Sequence, residues 1–276
     1  MSTLPLVTFN DGRSIPQIGL GVWQTPNDVA VMAVETALKA GYRHIDTAAI
    51  YQNEEGVGEG LRTSNVRRED IFLTTKVWND DQGFDSTLAA MDASLRRLGT
   101  DYVDLYLIHW PSAYRGKFID TWKALIRLRE EGKARSIGVS NFEGDYLEEI
   151  IAATGVTPAL NQVQLHPRFQ QRALRAKHEK LGVLTESWSP LGQGKLLDDP
   201  VIGDIASRHG KSAAQVIIRW HLDSGLIVIP KSVTPSRIVE NFDVFDFALS
   251  EEDKAAIAGL DVADGRIGSD PVTAKF

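Results

Sequence analysis

The chain contains no cysteine. That excludes disulfides, a thiolate nucleophile and any zinc site built on sulfur. Positive charge is also scarce. The sequence has 30 Lys and Arg against 37 Asp and Glu, a net charge of −7. No basic block interrupts this balance, so neither nucleic acid nor an anionic membrane surface is an expected partner. Long apolar runs are missing, and no stretch could span a bilayer. The opening segment MSTLPLVTFNDGRSIP has no basic region followed by an apolar one, so it does not read as a secretory signal. These absences leave a cytoplasmic globular protein as the expectation.

What is present is ordinary in amount and regular in arrangement. The 276 residues are 43% hydrophobic and 24% charged, enough apolar content for a large core. Short β-branched runs alternate with amphipathic stretches. LVTF at 6–9 and the segment around Ile15 read as a hairpin turned by Asn10, Asp11 and Gly12. Strands are expected at 18–22, 43–46, 71–75, 103–108, 135–139, 159–163, 183–187 and 226–230. Helices are expected between them, the first capped by Asn27 and stopped by Gly41, another opening at Ser86 and stopping at Gly99. No linker-like composition break divides the chain. Eight β–α units in one domain spanning 1–276 predict an α/β fold, the (β/α)8 TIM barrel, with the N-terminal β-hairpin attached. An open doubly wound sheet would need a dinucleotide fingerprint. Gly19 and Gly21 lack the third glycine, and Gly56, Gly58 and Gly60 have the wrong spacing and fall in a helical stretch.

Barrel chemistry sits at the carboxyl ends of the strands. Those ends carry Val22 and Trp23, then Asp46 with Tyr51 a turn beyond, then Lys76 and Trp78, then His109 and Trp110. Ser140 and Asn141, Gln162, Trp188, and Lys231 with Ser232 complete the rim. Each residue has a plain structural explanation when taken alone: Asp46 a helix cap, Lys76 a snorkelling lysine, His109 a buried ring, Tyr51 loop packing. Together they fit poorly with those explanations, because a lysine at the end of a buried strand needs a partner. Asp46 on the neighbouring strand is that partner. An ammonium beside a tyrosine favours the phenolate and lowers its pKa from about 10. Such a phenol can donate a proton to a developing alkoxide, while His109 orients the oxygen. No Ser–His pair and no cluster of metal ligands is evident, so no metal is expected. A proton donor in an aromatic mouth lined by Trp23, Trp78, Trp110 and Trp188 suits carbonyl reduction with a cofactor supplying hydride. Trp122 and Trp220 fall within helices and read as core.

The last β–α loop offers Lys231, Ser232, Thr234 and Arg237 around a helix N-terminus. This is either an anion site or a solvated basic loop end with a capped helix.

The motifs GLGVWQT, GYRHIDTAAIYQNEEGVGEGL, TTKVWN, LYLIHWP, SIGVSNF, NQVQLHP, SPLGQG and IPKSV…RIVENFDVFDF resemble the aldo-keto reductases, over residues 6 to about 268. The similarity is greatest to short bacterial members of the 2,5-diketo-D-gluconate reductase group. The resemblance implies a (β/α)8 barrel whose hairpin closes the bottom, and reduction of aldehydes and ketones, among them diketo sugar acids or small dicarbonyls, with NADPH. It implies Tyr51 as proton donor, Lys76 lowering its pKa, Asp46 pairing with Lys76 and His109 orienting the carbonyl. Ser140, Asn141 and Gln162 would bind the nicotinamide carboxamide, and Trp188 would stack on its ring. Gly21 and Val22 would border the cofactor, and Ser189, Pro190, Leu191 and Gln193 would follow the pyrophosphate. Lys231, Ser232, Val233, Thr234 and Arg237 would hold the 2′-phosphate, and Glu240 and Asn241 the adenine. Val22, Trp23, Trp78, His109 and Trp110 would wall the substrate. Val22 replaces a larger aromatic found in some relatives, which implies a roomier mouth. Thr234 stands where some carry Arg. The short segment DGRIGSDPVTAKF implies an open pocket, and the expected state is a monomer. A cofactor-binding sensor subunit and a metal-assisted hydrolase are the competing classes for this fold.

Overall fold

The computed structural model describes residues 4–276. Two short strands, β1 (Leu6–Thr8) and β2 (Ser14–Pro16), pair antiparallel with Leu6 opposite Pro16. Gly12 takes φ +84°, which the turn between them requires. Eight parallel strands follow: β3 (Leu20–Gly21), β4 (His44–Asp46), β5 (Phe72–Val77), β6 (Val103–Ile108), β7 (Ala134–Ser140), β8 (Leu160–Gln164), β9 (Leu184–Trp188) and β10 (Ile227–Val228). Each hydrogen-bonds to its sequence neighbour. The ring closes where Ile18 bridges Val228 and Gly21 bridges Lys231, with Gly19 N–H donating to the Val228 carbonyl at 2.9 Å. This is the expected (β/α)8 barrel.

Among the described residues ten α-helices surround it: α1 (Asn27–Ala40), α2 (Glu54–Thr63), α3 (Phe84–Leu98), α4 (Phe118–Glu130), α5 (Gly144–Thr154), α6 (Arg172–Leu181), α7 (Pro200–His209), α8 (Ala213–Asp223), α9 (Pro235–Phe242) and α10 (Glu251–Ala258). Two boundaries differ from expectation. Pro26 is the N-cap of α1, and the Asn27 side-chain oxygen instead accepts the Gly56 amide at 2.7 Å, tying α1 to α2. Helix α3 opens at Phe84, two residues before the expected start at Ser86, because Gly83 at φ +125° makes the turn.

Strand alternation divides the side chains. Ile45, Leu73, Tyr106, Ile108 and Val139 point outward and pack with the helices in the larger core. The interior has two levels. Toward the amino ends, Leu105, Leu107, Leu160 and Ile227 form an apolar plug with Phe9 and Ile15 of the hairpin region, so the hairpin closes the bottom. Above it, Asp46, Lys76, Gln162 and Glu186 are all buried. A barrel interior is usually filled with branched aliphatics. Here its upper level is ionisable, and it lies directly beneath the rim.

Candidate active site

Lys76 is fully buried. Its Nζ donates to Asp46 Oδ1 at 2.6 Å and to the Thr47 carbonyl at 2.8 Å. The strand register explains the meeting, since β4 and β5 pair in parallel and put Asp46 opposite Thr74, two residues before Lys76. Asp46 is therefore a charge partner and not a helix cap. Its second oxygen accepts from Gln162 Nε2 at 2.8 Å. Tyr51 ends a 3-10 turn, Ala49–Tyr51, with Gln52 left-handed just after it at φ +55°. The loop is held by Asn53, which accepts from the Thr47 hydroxyl at 2.7 Å and donates to the carbonyls of Val22 and Thr25. That anchoring puts the Tyr51 ring centroid 5.3 Å from Lys76 Nζ. His109 faces Tyr51 edge-on, ring centroids 5.5 Å apart, and Trp78 packs against its other side at 5.3 Å.

The electrostatics follow from burial. Burial works against the Lys76 ammonium, but Asp46 and Tyr51 outweigh it and hold its pKa above the ordinary lysine value. Burial pushes the Asp46 carboxyl up, and Lys76 and Gln162 pull it back. Burial raises the Tyr51 phenol to about 12; Lys76 opposes the rise without cancelling it. The sequence expectation of a net lowering therefore has the right direction for Lys76 alone, while desolvation wins the sum. His109 is depressed well below the usual imidazole range by burial and by Lys76, so its ring is neutral.

These groups open into a cavity of about 610 Å3 that adjoins a second of about 660 Å3. Tyr51, His109, Ser140, Asn141, Gln162 and Trp188 line the first. Trp188 is locked by donation from its indole to Asn141 Oδ1 at 2.9 Å. Asn141 Nδ2 donates to the His109 carbonyl at 2.9 Å, and the Ser140 hydroxyl to the Gln162 carbonyl at 2.8 Å. Ser189, Pro190, Gln193 and Lys231 border both cavities, and Leu191, Ser232, Arg237, Glu240 and Asn241 line the second. Four non-glycine residues of the walls, Gln24, Asn141, Ser189 and Gln193, have positive φ between 49° and 62°, a strain that clusters at functional surfaces.

Some expectations are not met. Val22 is buried in the core and lines neither cavity. Gly21 faces inward, so alternation turns Val22 outward, and its size does not set the width of the mouth. Val233 and Thr234 also lie off the cavity walls. The tail does not leave the pocket open on every side. Gln164 Oε1 accepts the backbone amides of Ile267 and Gly268 at 3.2 and 2.8 Å, and residues 267–269 line the first cavity. Phe276 stacks on Trp78 with centroids 5.8 Å apart and meets Trp110 edge-on at 5.1 Å. Ile50, Gln24 and this tail join the walls without having been expected. An apolar residue in a polar terminal segment was the available signal for Phe276.

Glu186 and His44 were also missed. They are fully buried below Asp46, and one potential ligand atom each from His44, Asp46 and Glu186 lies within 4.8 Å of the others. A divalent cation there would face the Lys76 ammonium that already holds Asp46, so the set is a poor metal site and a better charge-compensation cluster.

Comparisons with known proteins identify the family. The model of the aldo/keto reductase family matches residues 17–262. The chain belongs to the aldo/keto reductase family. An aldo-keto reductase of Mycolicibacterium smegmatis is 60% identical over 272 residues, covering 99% of this chain and 98% of its own. The methylglyoxal reductase DkgA of Escherichia coli K12 is 50% identical over 273 residues, 98% of each chain. Among solved structures, a Gox0644 mutant in complex with NADPH is 55% identical and superposes with a TM-score of 0.96 over the full length of both chains. As a member of the aldo/keto reductases, the chain is an NADP(H)-dependent oxidoreductase. The cavities fit that cofactor. Polar groups from β7 and β8 stand beside Tyr51 at one end, and at the other Lys231 and Arg237 make no salt bridge among the described residues.

Proposed function

We propose that this aldo-keto reductase reduces small dicarbonyls or diketo sugar acids to alcohols with Tyr51 as the proton donor. The observation that carries the reading is the buried Lys76–Asp46 contact at 2.6 Å beneath a tyrosine and a neutral histidine on the wall of one cavity. The chemistry that NADPH would supply when bound here is hydride donation to the carbonyl carbon. The chain's own residues supply position and a proton. Tyr51 passes its hydroxyl proton to the carbonyl oxygen as negative charge develops there. Lys76 stabilises the phenolate left behind, and Asp46 keeps Lys76 charged in a dry site. His109, neutral because it is buried beside an ammonium, donates a hydrogen bond to the same oxygen without competing to protonate it.

Ser140, Asn141 and Gln162 would hold the nicotinamide carboxamide, with Trp188 beside its ring. Gly21 lets the first barrel strand close against the last, since a side chain there would begin 3.0 Å from the Ile229 carbonyl, and its backbone borders the first cavity. Ser189, Pro190, Leu191 and Gln193 would hold the pyrophosphate, Lys231, Ser232 and Arg237 the 2′-phosphate, and Glu240 and Asn241 the adenine. Trp23, Trp78 and Trp110, with Phe276, form an aromatic mouth suited to compact carbonyl compounds. The methylglyoxal reductase named among the relatives supports the dicarbonyl class. The reading is tested by steady-state reduction of a carbonyl panel with NADPH. Tyr51→Phe should lower kcat/KM by at least about 10²-fold on every substrate turned over. A variant that keeps near wild-type activity removes Tyr51 from the role.

A further inference from the structure

The site contains one more buried acid than its charge balance needs. Glu186 stands on β9 opposite Gln162 on β8 and Ile227 on β10, fully buried. Gln162 Nε2 donates to Glu186 Oε2 at 2.8 Å and to Asp46 Oδ2 at 2.8 Å, so one amide joins the two carboxyls. The other Glu186 oxygen has no hydrogen-bond partner. The groups facing it are few. Strand β4 presents His44, whose Nε2 is 3.7 Å from Oε1, and Asp46. Strand β5 presents Lys76, and β8 and β10 present only Gln162 and apolar side chains. Tyr51 lies beyond Lys76.

His44 cannot compensate an anion here. Burial and Lys76 depress its pKa to about 3, so the ring is neutral. The cluster thus holds one ammonium for two carboxyls, and the 2.6 Å contact assigns that ammonium to Asp46. An ionised Glu186 with a bare oxygen in this interior would be costly, and a protonated one would not.

We propose that Glu186 is a positioning residue for proton transfer, a carboxylic acid kept neutral behind the Lys76–Asp46 pair, whose ionisation adds negative charge beneath Tyr51 and weakens it as a proton donor. The inference rests on Tyr51 being the donor. Burial, then the Asp46 charge, pushes the Glu186 carboxyl up to about 8. A negative Glu186 raises the Tyr51 pKa further, in the same sense as Asp46. The proton leaves to solvent, and no other bond changes. Reduction should therefore slow as pH rises through the Glu186 transition.

The experiment has two arms. In the first, kcat for carbonyl reduction is followed from about pH 7 to about pH 9.5 in the wild type and in Glu186→Gln, which fixes the neutral form. The expected result is a fall in the wild type that is at least about threefold smaller in the variant. Identical profiles would overturn the proposal. The second arm needs no variant. NMR of wild-type protein carrying 13C-carboxyl glutamate should show one resonance titrating near pH 8, not near the usual value of about 4.5. Its absence would overturn the proposal even if Glu186→Gln failed to fold. The same resonance in Tyr51→Phe separates the two readings. If Tyr51→Phe reduces carbonyls normally while the resonance still titrates near pH 8, the donor assignment has failed and the neutral acid has not.

Discussion

At the residue scale, the site is a sequence of charge compensations, each forced by burial. A lysine in a dry barrel must meet a carboxylate, and Asp46 meets it. These residues were legible in the sequence because a charged group ending an otherwise apolar strand has few bland explanations once several occur together. Glu186 was not legible. In VLTES it looks like the polar half of an alternating strand, and only closure of the barrel reveals that this face points inward. Val22 misled for the same reason, since which of Gly21 and Val22 faces the cavity depends on register and not on composition. The phosphate end carries a prediction at this scale. Arg237 lines the second cavity with Lys231, and only NADPH carries a 2′-phosphate. Arg237→Ala should raise the Kd for NADPH by about tenfold or more while leaving NADH nearly unaffected, consistent with a charge-assisted contact of about 1.5–3 kcal/mol. Fluorescence titration with both cofactors checks this, and equal losses would remove Arg237 from that contact.

At the scale of elements, helix α2 shows how a pattern can be rejected correctly for an incomplete reason. Gly56, Gly58 and Gly60 are no nucleotide fingerprint, but neither are they idle helix residues. A Cβ on Gly56 would lie 1.9 Å from the Asn27 carbonyl oxygen, one on Gly58 2.4 Å from that of Leu98, and one on Gly60 2.8 Å from Val34. They let α2 sit hard against α1 and α3, close to the loop that carries Tyr51. Two effects oppose each other in Gly56→Ala. Helix propensity favours alanine by about 1 kcal/mol, whereas overpacking against backbone costs about 1–3 kcal/mol or more. The clash is with a carbonyl that cannot rotate away, so the variant should be less stable by at least about 1 kcal/mol in urea unfolding. A stabilised variant would show that α1 and α2 slide apart freely. Most element boundaries were readable from apolar periodicity and from glycines such as Gly41 and Gly99 in left-handed caps. The covering by residues 267–269 and Phe276 was not, because irregular segments have no period, and their seat on Gln164 and Trp78 is purely tertiary.

At the scale of the molecule, buried titratable groups make stability depend on pH in a definite direction. Burial depresses His44 to about 3 and His166, His178 and His221 to about 4. The unfolded chain binds protons on these rings below about pH 6.5, and the native state does not. Their contribution is fully present above that pH and is lost as pH falls toward about 4. Glu186 has the opposite sign, because the native carboxyl keeps a proton that the unfolded chain has released. Its contribution declines between about pH 4.5 and about 8. Between about pH 5 and 6.5 these four rings, with His109 depressed in the same sense, outweigh the Glu186 carboxyl, each fully engaged ring contributing about 1.4 kcal/mol per pH unit. Urea unfolding should therefore give a lower free energy at about pH 5 than at about pH 7. Equal values would mean that the rings are protonated in the folded protein.

In the proposed mechanism the polar upper level of the barrel serves to let Tyr51 deliver a proton. This is tested most directly by single-turnover reduction of a small dicarbonyl by the NADPH-loaded enzyme, wild type against Tyr51→Phe, with NADPH affinity measured on the same samples. The expected result is a hydride-transfer rate lowered by at least about 10²-fold at an unchanged Kd for NADPH. A Tyr51→Phe rate within about threefold of wild type, at the same Kd, would contradict it.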